Sequence, residues 1–533
     1  MLGGNPAKQN RYFNFRITHI RIIPLFAASV YNKIVKIFKI ILPILIIVVL
    51  GLAGFYLYKK NKPSSSSSTI KSICQDCQSK YNPFGFAGPS APDNFNNIQA
   101  LGVKFARESI SWETIEPSEN QFNFDVYKES DLAQYGLEII ARLKLGQIWA
   151  TKCDKSIACS EDKSFGCPSK SADCPPKDLG NWSDKGYSPL LYDFIFKSLA
   201  DTTKTSQNFE YLIVGNEVNT PVFWHGSAQD YLKTRSTIYK AIKDINVKNG
   251  TNYKVVDNGI AGMIWGGAVL RENYCTNDQD KRNFAMEYAK KYFRRIYDGP
   301  YTEDALAKRI NCANPSRDYL FLKEIFKKDP NLNEVSFDVM SYHFYEPWDT
   351  QEEVINWIGA EMKKNGYDKP IMNTEGGYRD TLHLYDDTPT LKQDVANEIP
   401  KLHVIALANN IKTWLWLPFT EREGQFYGPE WKGLVSEDQK ILPAYYSYQI
   451  MVAKLAGFDR VEKIDKFQNA HVYKVNFVDK KSLYVIWAND NVQIDLSSEI
   501  DGNIQITDVN QKTKNIDSSK IDIGPSPIYV EEI

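Results

Sequence analysis

The sequence predicts an α/β chain: a (β/α)8 TIM barrel over residues 79–457, a small C-terminal β-sandwich over 458–533, and one transmembrane helix ahead of both. Three observations predict it. Eight short apolar runs alternate with helix-periodic stretches through the middle of the chain. After Gly457 the pattern switches to short alternating strands separated by Asn-, Asp- and Lys-rich turns. Near the start, Ile40 to Tyr58 is a run of nineteen residues without a charge.

That run is long enough to cross a bilayer, which needs roughly 20 residues. It exceeds a signal-peptide core, and no A-x-A pattern follows it, so an uncleaved anchor is expected. Residues 1–39 form a short basic segment with Lys8, Arg11, Arg16, Arg21, Lys33, Lys36 and Lys39 and no acid. Lys59, Lys60 and Lys62 follow the span, in smaller number. The balance places the N-terminus in the cytoplasm and the bulk of the chain outside, a single-pass protein of the cell membrane. Residues 59–78, with Pro63 and Ser64 to Ser68, read as a linker. All eight cysteines lie beyond the span, an even count that points to disulfides, with Cys275–Cys312 as one pair. The C-x-x-C spacing of Cys74 and Cys77 leaves a zinc site as the rival reading, against irregular spacings and no histidine in the clusters.

The eight candidate barrel strands are Phe84–Ala87, Val103–Arg107, Leu137–Leu143, Tyr211–Gly215, Lys254–Asn258, Val335–Tyr342, Lys369–Thr374 and Thr413–Leu417. Helical spacing fills the gaps: Leu191, Ile195 and Leu199 recur every fourth residue, Leu391 to Ala408 reads as a helix interrupted by Pro400, and Ala444 to Leu455 is similar. Two insertions, Thr151 to Ser183 and Ala261 to about Arg317, follow strands three and five, where barrel loops build a cleft. In the last segment, His471–Phe477, Leu483–Trp487 and Ile504–Val509 read as sandwich strands.

The formal net charge of −1 gives no sign of a nucleic-acid partner. No Gly-rich phosphate loop or metal-ligand cluster is present, so neither cofactor nor metal is expected. Aromatic residues reach 13% of the chain, which suits either a dense core or a cleft that stacks sugar rings. Two carboxylates carry the chemistry. Glu217 ends Tyr211-Leu-Ile-Val-Gly-Asn-Glu, and Glu375 ends Ile371-Met-Asn-Thr-Glu. Each falls at the C-terminal end of a buried strand, and in a barrel those ends converge. Glycosidic cleavage needs such a pair, one group to protonate the leaving oxygen and the other to attack carbon or activate water.

These segments resemble the retaining glycoside hydrolases of clan A. Val214-Gly-Asn-Glu-Val-Asn219 is similar to the clan's strand-four signature, which implies that Glu217 is the acid/base and that Asn216 bonds the sugar 2-hydroxyl. Asn373-Thr-Glu-Gly-Gly377 resembles the nucleophile segment, with Glu375 as nucleophile. Ser341-Tyr-His-Phe-Tyr345 resembles the His-x-Tyr pattern of strand six, so Tyr345 would support the nucleophile beside His343, whose rival reading is a satisfied core histidine. Arg107 matches the strand-two arginine that pairs with the nucleophile, and Trp416 the strand-eight aromatic platform. Trp112, Glu116-Pro117 and Phe122-Asn-Phe124 resemble the opening of these barrels. Trp149, Trp224 and Trp265 would either extend a sugar platform or pack loops. The barrel-plus-sandwich layout resembles family 39, with family 5 alongside it. The resemblance implies cleavage of a poly- or oligosaccharide by double displacement. A catalytically silent carbohydrate-binding protein or a transglycosylase on the same barrel remains open.

Overall fold

The computed structural model of the chain describes residues 73–533, apart from 75–76, 78–79, 89–94, 125–135, 154–171, 180–186, 201–208, 262, 330–331, 385 and 422–429. The predicted anchor, Ile40–Tyr58, lies outside the described residues; among those described, no helix is long and apolar enough to cross a membrane.

Eight parallel strands form the barrel: β1 (Phe84–Ala87), β2 (Phe105–Ser111), β3 (Glu138–Lys144), β4 (Tyr211–Val214), β5 (Lys254–Val256), β6 (Met340–Phe344), β7 (Ile371–Gly376) and β8 (Trp414–Trp416). β8 pairs with both β7 and β1. The ring closes between β5 and β6, where Asp338 N donates to Val255 O at 2.8 Å and Asp257 N to Val339 O at 3.0 Å. Period-two alternation sorts the side chains. Ala87, Ile140, Ile213, Val256, Met372, Leu415 and Leu417 fill the barrel interior. Their neighbours Phe86, Ile139, Ala141, Leu212, Val214, Val255, Trp414 and Trp416 face the surrounding helices.

β6 begins later than the apolar run beginning at Val335 predicts. Val335 and Phe337 are buried ahead of the strand, in the layer shared with the helices, and Val339 takes the closing bridge to β5. The helix Pro189–Leu199 forms where the four-residue spacing predicts it, with Ser188 Oγ accepting from Leu191 N. The helix Pro389–Ala408 runs through Pro400 without a break. Proline lacks the N–H that would bond the carbonyl four residues earlier. That carbonyl, Ala396 O, accepts from Ser447 Oγ at 2.6 Å instead. The insertion after β5 is a helical layer rather than an open loop: Ile264–Tyr274, Gln279–Phe293 and Glu303–Ile310, stapled by Cys275–Cys312. Cys74–Cys77 and Cys153–Cys174 are likewise disulfides, so the zinc reading of these cysteines does not hold.

Behind the barrel, a buried ion pair joins the helix Ala228–Asn249 to the end of β5. Arg235 Nη1 meets Asp257 Oδ1 at 2.9 Å with both side chains sealed from solvent, and Tyr231 OH donates to the same oxygen at 2.6 Å. The neighbouring Asn258 accepts from Val218 N at 3.3 Å, so this network reaches the turn after β4.

The C-terminal segment folds into a six-stranded antiparallel sheet and a two-stranded ribbon, Val492–Ile494 with Ile521–Ile523. The uninterrupted run Leu483–Trp487 is buried on both faces. Leu483, Val485 and Trp487 pack with the barrel's helices, and Tyr484 and Ile486 with the ribbon. Trp348, which follows β6, meets Trp487 edge-on at 5.3 Å. The sheet is thereby joined to the barrel through a shared apolar layer.

Candidate active site

β4 and the turn beyond it deliver Glu217. Gly215 (φ 73°) and Glu217 (φ 43°) both adopt left-handed backbone. Glycine does so freely; for a glutamate it costs on the order of 1–3 kcal/mol. Three hydrogen bonds hold the turn: Val218 N to Asn258 Oδ1 at 3.3 Å, Thr220 N to Glu217 O at 3.0 Å, and Ala261 N to Asn219 Oδ1 at 2.9 Å.

β7 delivers Glu375 by a different device. Tyr342 pairs with Asn373, but the next residue, His343, pairs with Glu375, so Thr374 is an extra residue in the ladder. Met372 faces the interior. Unbroken alternation from Met372 would turn Glu375 outward toward the helices. The bulge resets the parity and turns its carboxyl into the barrel mouth, a use bulges often serve beside active sites. The Thr374 and Ser341 hydroxyls, 2.5 Å apart, pin the bulge to β6.

Three side chains hold Glu375, which is 5% exposed. Arg107, on β2, pairs with its Oε2. Tyr345 OH donates to Oε1 at 2.6 Å. His343 Nδ1 lies 3.7 Å from Oε1 and 2.8 Å from Glu217 Oε1. Arg107 Nη1 also donates to Asn216 Oδ1 at 3.4 Å, linking the two strand ends. Burial alone would raise the pKa of the Glu375 carboxyl. Against that stand the Arg107 guanidinium, the Tyr345 hydrogen bond and any positive charge on His343, and the carboxyl is held far below the usual carboxylate range. Oxygens of Glu217 and Glu375 and a His343 nitrogen all lie within 4.8 Å of one another. The same three atoms have the spacing of a metal site, but Arg107 sets a fixed positive charge against Glu375 that a divalent cation would have to displace or face.

Glu217, Glu375, Arg107, Asn216, His343 and Tyr345 thus converge at one barrel mouth. Two tryptophans expected there do not. Trp416 shares a face with Trp414, as their spacing requires, but it is the outer face. Trp416 is fully buried among the helices, parallel to His403 at 6.4 Å, while Leu415 and Leu417 point inward. Trp149 is half-buried against Trp112, and its Nε1 donates to Glu116 O at 3.2 Å. Trp224 and Trp265 are buried in packing. The aromatic that reaches the site is Trp431, beyond β8, whose ring meets that of Tyr345 edge-on at 4.4 Å. It lies in a two-residue ladder with Tyr378–Arg379, and no motif marks it in the sequence.

Asp173 is a second residue the sequence did not single out. Its Oδ1 accepts from Leu145 N at 2.6 Å, and its backbone bonds to Phe223 and His225 in the loop after β4. Burial, opposed by the Leu145 bond and by Arg142 and Lys144, pushes its carboxyl up to about 6. It stitches the cysteine-bearing insertion to the loop that carries Glu217, and its neighbour Cys174 was the only sign of it.

No family model and no curated protein matches the chain. Solved structures do. A family 39 glycoside hydrolase from the gut symbiont Bacteroides cellulosilyticus WH2 is similar at 11% identity over 86% of this chain and 82% of its own, with a TM-score of 0.52. A glucosidase from Croceicoccus marinus aligns at 10% identity over 85% of this chain and 97% of its own, with a TM-score of 0.47. A β-porphyranase of glycoside hydrolase family 86 from Bacteroides plebeius aligns at 10% identity over 85% and 73%, also at 0.47.

The electrostatics of Glu375 yield a test. Replacing Arg107 with Met removes one of the groups favouring ionisation, so the carboxyl should titrate higher, by about one to three pH units. Carbon-13 NMR of labelled glutamate carboxyls, with Glu375→Gln identifying the resonance, measures it; an unmoved titration would separate Arg107 from Glu375. The likeness to the first of these structures is one of fold: the chain has the (β/α)8 barrel fold of the clan A glycoside hydrolases.

Proposed function

We propose that the chain is a membrane-anchored, extracytoplasmic glycoside hydrolase that cleaves O-glycosidic bonds of a poly- or oligosaccharide by double displacement, with retention. One observation carries this reading: a buried, ionised Glu375 and a partly exposed Glu217 whose oxygens come within 4.8 Å. Retaining pairs sit about 5–5.5 Å apart because one carboxylate attacks carbon, whereas inverting pairs leave about 6.5–9.5 Å for a water. Single oxygens of the two groups lying within 4.8 Å accord with the shorter of these separations.

In the first step Glu217 gives its proton to the leaving oxygen, the C–O bond breaks, and Glu375 bonds to the anomeric carbon. Arg107 and Tyr345 keep Glu375 anionic until that moment. In the second step ionised Glu217 takes a proton from water, the water oxygen bonds to the anomeric carbon, and Glu375 leaves as carboxylate. Asn216, oriented by Arg107, is placed to bond the 2-hydroxyl as charge develops on the ring.

The basic, acid-free segment before Ile40 supports the anchor, and three disulfides among the described residues support an oxidising compartment.

Two experiments test these proposals. On a polysaccharide panel, Glu375→Gln should abolish release of reducing ends. Glu217→Ala should slow unactivated substrates by about 10²–10⁴-fold, and added azide should restore turnover of activated aryl glycosides by replacing water. Unimpaired activity in either variant would remove that residue from the mechanism. For topology, protease added to intact cells should release the barrel, and its protection would place the barrel on the other side.

A further inference from the structure

His343 is fully buried, and its two nitrogens have different surroundings. Nδ1 lies against Glu217 Oε1 at 2.8 Å, with Glu375 Oε1 behind it at 3.7 Å. Nε2 is sealed and has no hydrogen-bond partner among the described residues. The reason is Gly259, three residues past β5. A Cβ on Gly259 would lie 2.4 Å from both Nε2 and Cδ2 of His343. Gly259 also has φ +67°, backbone that a glycine adopts without a steric penalty. The imidazole edge therefore packs directly on the Gly259 backbone.

We propose that Gly259 is a positioning residue: its bare Cα seats the His343 ring so that the proton sits on Nδ1 and is donated to Glu217 Oε1, leaving Glu217 Oε2 to carry the proton that catalysis transfers. A neutral imidazole has one proton to place. On Nε2 it would be a buried donor with no acceptor; on Nδ1 it finds one carboxyl at bonding distance and a second nearby. With Oε1 occupied, the acid proton of Glu217 belongs on Oε2, which has no partner among the described residues. Any side chain at 259 drives the ring toward the glutamates or out of the gap, and the distinction between the two oxygens is lost. The consequence for catalysis rests on Glu217 being the acid/base; the seating of the ring and its tautomer do not.

The test reads the tautomer directly, so it stands apart from activity. The full-length chain is labelled with nitrogen-15 histidine, and ring nitrogens are correlated with ring protons by NMR. Among the described histidines, the two fully buried rings should show the neutral, Nδ1-protonated pattern. They are His343 and His403, whose Nδ1 faces Ile399 O at 2.7 Å and whose Nε2 is likewise sealed. His343→Asn assigns the first by removing it. Gly259→Ala should shift or abolish the His343 pattern and leave His403 untouched, which also reports that the barrel is folded. If Gly259→Ala does not fold, the double variant Gly259→Ala/His343→Asn decides. The shorter side chain clears the Cβ, and its amide can still donate to Glu217, so the double variant should melt higher than Gly259→Ala. An Nε2-protonated or doubly protonated His343 in the unaltered chain, a His343 pattern unmoved by Gly259→Ala, or a double variant no more stable than the single, would overturn the proposal. Full turnover in Glu217→Ala, with the predicted tautomer present in the unaltered chain, would remove the acid/base reading and leave this one standing.

Discussion

A carboxylate held nine-tenths out of water is stable only if its charge is met, because moving it from water costs several kcal/mol even after relaxation. Glu375 is in that position, and much of the barrel mouth is arranged around it. β2 supplies Arg107, the end of β6 supplies Tyr345 and His343, and Asn216 at the end of β4 is tied in through the same guanidinium. The compensation is deliberately incomplete in geometry: the partners approach from the barrel interior and leave the carboxyl facing Glu217. A nucleophile needs that combination, since it must stay ionised while one side remains open to carbon.

Two backbone irregularities make the arrangement possible. The extra residue in β7 reverses the parity of the strand, and the left-handed turn at Glu217 brings its side chain over the mouth. Neither is an isolated distortion. Asn258 and Asn219 hold the Glu217 turn, and Asp173 clasps the adjoining loop to the end of β3. The disulfide Cys153–Cys174 closes the insertion immediately beside that clasp. Strain at the reacting groups is thus supported by hydrogen bonds one layer further out.

The sequence was legible where chemistry and period agree. Arg107 lies within β2, where the expected strand had ended, and Glu217, His343 and Tyr345 lie at or just past the ends of β4 and β6, in motifs whose spacing survives into the fold. Glu375 reaches the barrel mouth although simple alternation from Met372 would have turned it away; the motif, not the period, singles it out, and nothing in the sequence announces the bulge. Trp416 fails for the converse reason. Its position near a strand end was right, but on β8 the parity assigns Leu415 and Leu417 to the interior, and a large aromatic fits the helix layer equally well. Trp431 and Asp173 were invisible because their roles come from contacts between loops distant in sequence. Pro400 read as a break because the remedy, a serine hydroxyl from another helix, lies 47 residues away. Leu483–Trp487 read as a sandwich strand, and only the packed sheet shows that both its faces are covered.

The central claim is that Glu375 attacks carbon rather than activating a water. The configuration of the first product tests this most directly. The full-length chain is given the polysaccharide it degrades fastest, and the anomeric protons of newly released reducing ends are followed by NMR before mutarotation. The account predicts that the first anomer to appear has the configuration of the bond that was cut, with the other growing in later. An inverted anomer appearing first would contradict it, and would make Glu375 a base for water instead of a nucleophile.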